Sequence, residues 1–121
     1  MARGERNHVW VERDPESGLP IRIIKSREAN SAREIEIAFV DRTWAVGEIR
    51  RQVFERDNYE CRRCARRLTL QTGHMDEIVS RGEGGEVSVK NGWLLCSGCH
   101  IGNKPTSEHG NRRIRFGESN G

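Results

Sequence analysis

Two CxxC pairs, Cys61-Arg62-Arg63-Cys64 and Cys96-Ser97-Gly98-Cys99, constrain this chain more than any other feature. A CxxC turn lets two thiolates reach one ion, and two such turns complete the closed tetrahedron of a structural Zn2+ site. Every cysteine of the protein lies in one of these pairs. No signal-peptide core or membrane-length apolar run is present, so the expected compartment is the reducing cytoplasm, where paired CxxC motifs favour metal over disulfides. A chain of 121 residues that is only 34% hydrophobic and 32% charged has a lean core, and a metal staple compensates for that. The 31 residues between Cys64 and Cys96 exceed the needs of a compact zinc ribbon, so the insert must build structure of its own.

The elements around the cysteines follow from periodicity and turn chemistry. His8 to Glu12 and Leu19 to Ile24 have strand chemistry and flank a turn-rich Asp14-Pro15-Glu16-Ser17-Gly18, which predicts a hairpin. Residues 26–33 read as loop or short helix, and Ile35 to Val40 is β-like in chemistry, although its periodicity is compatible with a helix as well. Trp10, Phe39 and Trp44 are expected in the core. Ile49, Val53 and Phe54 at helical spacing predict a helix over residues 47–57, ended by Asp57-Asn58. Leu68 to Thr72 has strand chemistry punctuated by Gly73, His74 to Val79 forms the first arm of a second hairpin, and residues 82–85 form a flexible glycine loop. A short helix is expected near Cys99-His100. The organisation is thus α+β: a β-rich extension over residues 1–47, a zinc domain over residues 48–110 and a basic tail over residues 111–121.

The net charge of +3 lies wholly in the second half: residues 1–57 hold eleven Lys/Arg against eleven Asp/Glu, and residues 58–121 hold ten against seven. A basic zinc half suits a polyanionic partner. Arg62, Arg63, Arg66 and Arg67 flank the first cysteine pair, and Lys104, Arg112, Arg113 and Arg115 follow the second, all candidates for phosphate contacts.

A second centre is suggested by Asp76, which follows the first pair, and His100, fused to the second. Closing the cysteine site would bring them together. A carboxylate and an imidazole with open positions suit Mg2+, Mn2+, Ni2+ or Zn2+, and an ion so held can assist phosphodiester hydrolysis. The plain alternatives are a surface aspartate and a helix-capping histidine.

Asp76-Glu77-Ile78-Val79-Ser80-Arg81-Gly82-Glu83-Gly84-Gly85, then Asn91-Gly92-Trp93-Leu94-Leu95-Cys96-Ser97-Gly98-Cys99-His100, resemble the HNH endonuclease family in residues and spacing together. The segment from Arg51 to Cys61 resembles the helix leading into the first pair, so the likeness spans about residues 50–104. It implies a ββα-metal, treble-clef-like zinc domain, a DNA partner with no membrane, and hydrolysis assisted by one catalytic divalent ion. Small proteins of this kind are frequent in phages, where some assist DNA packaging; for such a protein the compartment is the host cytoplasm and packaging machinery a partner. Asp76 and His100 then ligate the catalytic ion, with His109 as a further candidate ligand. Asn91 fixes the loop between hairpin and helix or orients the base. One departure stands out: the family's general base is usually a histidine directly after the metal-binding acid, and Glu77 holds that place. Three accounts stand: Glu77 as the base, His74, which shares a strand face with Asp76, in its place, or loss of the chemistry; the gap-free register favours Glu77.

Overall fold

The computed structural model describes residues 7–102, which form a small α+β structure with two antiparallel sheets and three α-helices. Strands β1 (His8–Arg13) and β2 (Pro20–Ile24) make the first hairpin. Its turn closes where the Gly18 N–H donates to the Asp14 carbonyl at 2.8 Å, with Gly18 at φ +75°, a left-handed geometry that suits glycine. Helix α1 (Ser26–Ser31) leads to β3 (Glu36–Asp41), which pairs with the other edge of β1 to give the order β2-β1-β3.

Helix α2 (Arg42–Arg56) starts five residues before the expected position at Gly47. Its start is set by Asp41, whose carboxylate accepts the Trp44 N–H at 3.0 Å and takes up one of the free donors of the first turn. Ala45, Ile49 and Val53 then form a fully buried stripe at i, i+4 and i+8, joined by Phe54. Gly47 lies inside this helix, so the boundary drawn at residue 47 falls within α2. The helix ends at Asp57, after which Asn58 and Tyr59 take positive φ values of 58° and 57° and swing the chain into the first CxxC turn.

The second sheet pairs β4 (Gly73–Glu77) with β5 (Gly92–Cys96), setting His74 opposite Leu95 and Asp76 opposite Trp93. Helix α3 (Ser97–Gly102) follows β5 directly. All five residues of β5 are buried, and Trp93, Leu94 and Leu95 form with Phe54, Leu68, Cys61 and Cys96 the principal core. Full burial of a side chain of this size contributes roughly 1.5–3 kcal/mol, so the cysteine turns are mounted on the best-packed part of the molecule. Gly73 is required there: a Cβ would lie 2.7 Å from both Leu94 Cδ1 and Phe54 Cε2.

Three expectations are corrected. Phe39 and Trp44 are 47% and 46% exposed; Phe39 sits on the outer face of the first sheet against Trp10, ring centroids 4.9 Å apart. Val11, which strand alternation turns to the opposite face, is fully buried. Residues 68–72 make no strand, because Thr69 and Thr72 bond each other's backbone and hydroxyl groups and fold the segment into a turn. The glycine loop is a tight structure: a 3-10 turn spans Arg81–Glu83, Gly84 has φ +93°, and a Cβ on Gly85 would lie 1.8 Å from the Val79 carbonyl oxygen.

Candidate metal centre and the adjoining acid–imidazole cluster

The first cysteine turn is built from backbone bonds. The Cys61 N–H donates to the Arg66 carbonyl at 2.9 Å, the Leu68 N–H to the Tyr59 carbonyl at 2.7 Å, and Ala65 takes φ 67°. The Arg63 and Cys64 N–H groups point at Cys61 Sγ, each at 3.4 Å. The second turn repeats this, with the Cys99 N–H on Cys96 Sγ at 3.4 Å. Cys61, Cys64, Cys96 and Cys99 thereby place their sulfurs within 4.8 Å of one another, a group that can hold a metal ion. A tetrahedron with Zn–S bonds of ~2.3 Å has S···S edges of about 3.8 Å. The Cys64 to Cys96 distance of 3.7 Å fits that edge.

The electrostatics of the four sulfurs point the same way. Burial would raise Cys96, but the Cys99 backbone N–H and the thiols of Cys99, Cys64 and Cys61 bring it down to about 7. Burial, then the sulfurs of Cys96, Cys61 and Cys64, push Cys99 up to about 12. Cys64 is also raised: its bond from the Arg66 backbone is outweighed by burial and by Cys61 and Cys96. Charge on Cys96 thus opposes charge on Cys99 and Cys64, and a divalent ion at the centre would relieve that opposition.

Asp57 locks this centre to β5. Its carboxylate is 3% exposed, accepts from both Arg56 and Arg62, and takes the Leu94 N–H at 3.0 Å. Arg62, read from sequence as a phosphate contact, is thus tied to Asp57 at 3.1 Å. Arg63, Arg66 and Arg67 lie on the exposed side of the turn. Arg56 also donates to the carbonyls of Val89 at 2.7 Å and Gly92 at 2.6 Å. Sequence reading missed Asp57 and Arg56, since a helix-terminal Arg-Asp pair carries no signature beyond ordinary capping.

Asp76 and His100 come together, with His100 Nδ1 3.3 Å from Asp76 Oδ2. His74 joins them, its ring stacked on that of His100 with centroids 4.6 Å apart and planes within 1°. Strand alternation puts His74 and Asp76 on one face of β4 and turns Glu77 to the other. There Glu77 faces Arg81 at 3.4 Å. Asn91 spans the loop after β4: its side chain accepts the Val79 N–H at 2.8 Å and donates to the carbonyls of Val79 and Glu86 at 2.9 and 2.8 Å. Among the described residues only the cysteines gather three or more metal-ligating side chains; Asp76 and His100 offer two ligand groups. His109, Lys104, Arg112, Arg113 and Arg115 lie outside the described residues.

No helix among the described residues is long and apolar enough to cross a membrane. Set against protein-family models, curated proteins and solved structures, the chain matches none.

Proposed function

We propose that this chain is a divalent-metal-dependent DNA endonuclease of the HNH type, built on a ββα-metal unit formed by β4, β5 and α3 and stapled by a structural zinc. The observation that carries this reading is the convergence of His74, Asp76 and His100, from strand and helix 24 residues apart for the last two, beside the four-cysteine group. Asp76 and His100 are the residues to hold the catalytic ion. An ion bound there, whether Mg2+, Mn2+, Ni2+ or Zn2+, supplies positive charge against the scissile phosphodiester. His74 is the better placed of the two candidate bases, since its imidazole lies against His100 while Glu77 is turned toward Arg81. In this role the His74 ring accepts a proton from the attacking water, and Asn91 holds the exit of β4 in place. Arg63, Arg66 and Arg67 offer exposed charge to the DNA backbone.

A second reading, a zinc-stabilised module that binds nucleic acid without cutting it, is favoured by the partners Asp76 already has, His100 Nδ1 on one carboxylate oxygen at 3.3 Å and the Glu77 N–H on the other at 2.9 Å. Supercoiled plasmid incubated with zinc-loaded protein and Mn2+, Mg2+ or Ni2+ separates the two. Nicking that disappears in Asp76→Ala and His100→Ala supports the nuclease. Intact plasmid with a mobility shift supports the binding module. For the base, His74→Ala lowers the rate by ~10^2–10^4-fold while Glu77→Ala lowers it much less; the reverse order reassigns the base to Glu77.

A further inference from the structure

We infer that Arg22, in the N-terminal sheet, is a positioning residue for the strand that carries His74 and Asp76, acting through Glu86 and the loop that joins β4 to β5. Its consequence for turnover rests on the nuclease reading above; its consequence for the loop does not.

The outer edge of β2 is occupied by that loop. The Ile23 N–H donates to the Val87 carbonyl and the Val89 N–H to the Ile21 carbonyl, both at 2.9 Å, with Arg22 opposite Ser88. At the same seam the Arg22 guanidinium gathers three carboxylates: Glu12 and Glu28, each at 2.6 Å, from its own sheet and α1, and Glu86, at 3.3 Å, from the loop. Only a planar guanidinium with several fixed donors reaches all three at once. Without it, three like charges face one another, and the repulsion acts across the seam because Glu86 alone belongs to the loop.

The loop then passes its position to β4. The Glu86 carbonyl accepts from Asn91, the Asn91 N–H donates to Ser88 Oγ at 2.9 Å, and Asn91 receives the N–H groups of Ile78 and Val79 at 2.8 Å each. Ile78 directly follows Glu77, the last residue of β4. Arg22 thus anchors the far end of the arm on which His74 and Asp76 stand, and an active group displaced by about 1 Å can lose on the order of 10^2-fold in rate.

The test is amide hydrogen exchange on the zinc-loaded full chain, read at Ile78, Val79 and Val89, together with plasmid cleavage. In Arg22→Ala these three amides exchange at least tenfold faster while those of β1 and β3 keep their protection, and kcat falls by roughly 10–100-fold with little change in KM. Arg22→Lys, which retains the charge without the fork, gives a smaller loss of the same kind and serves if Arg22→Ala does not fold. Adding Glu86→Gln to Arg22→Ala removes the repulsion across the seam and restores protection at Ile78. Unchanged exchange at Ile78 and Val79 in both single variants, or no rescue by Glu86→Gln, overturns the inference. If the parent protein cuts no DNA, the nuclease reading falls, while the exchange data still decide the role of Arg22.

Discussion

The four-cysteine group and the acid–imidazole cluster adjoin where β5 runs into α3, yet they are built in opposite ways. The cysteines are closed: four ligand atoms within 4.8 Å, backbone N–H groups aimed at the sulfurs, and mounting on a fully buried strand. His74 is exposed and the side chains of Asp76 and His100 are 25% and 29% exposed; the three meet through one 3.3 Å contact and one ring stack, with the Glu77 N–H on the other Asp76 oxygen. A closed shell suits a metal that stabilises structure, and an open one suits a metal that must meet a substrate. The difference predicts that stability and activity separate between the two clusters.

The largest effect belongs to the cysteines. Cys61→Ser, or removal of zinc by a chelator, is expected to unfold the β4–β5 hairpin, because structural zinc binding is worth about 10–16 kcal/mol of folding energy. Loss of near-UV circular dichroism along with metal content checks this, and a metal-free protein with native melting behaviour breaks the comparison. Next comes Asp57→Ala, which leaves the Leu94 N–H without its acceptor and removes the bonds from Arg56 and Arg62. A loss of about 3 kcal/mol in urea denaturation is expected.

The smallest effect on stability is expected at the open cluster: Asp76→Ala should change unfolding by less than about 1 kcal/mol, as for partly exposed ion pairs, while removing any nicking that the proposed nuclease function confers. A larger loss would make Asp76 a structural residue.

Much of this arrangement was legible before the fold was known. The paired CxxC spacing located the four cysteines that assemble, and helical spacing located Ile49, Val53 and Phe54, all fully buried. Local chemistry misled where tertiary packing decides. Gly47 looked like a helix start, but Asp41 supplies the cap and Ala45 extends the buried stripe. Phe39 and Trp44 looked like core, but both are nearly half exposed, Phe39 on the face of the first sheet opposite the buried Val11 and Trp44 in the first turn of α2. The family register pointed to Glu77, whereas strand alternation sets His74 beside His100. The long-range roles of Arg22 and Asp57 were invisible because the partners that create them, Glu86 and the Leu94 N–H, lie 64 and 37 residues away, at separations that no local pattern encodes.

Helix α2 has a practical bearing on modularity. It is capped by the residue that ends the first sheet and it terminates on the carboxylate that secures the second. A fragment begun at residue 48 would sever this rod, strip its cap and uncover the edge where β2 meets residues 87–89. The two sheets therefore cannot be swapped as cassettes, and a recombinant minimal version has to retain the chain from the first strand onward.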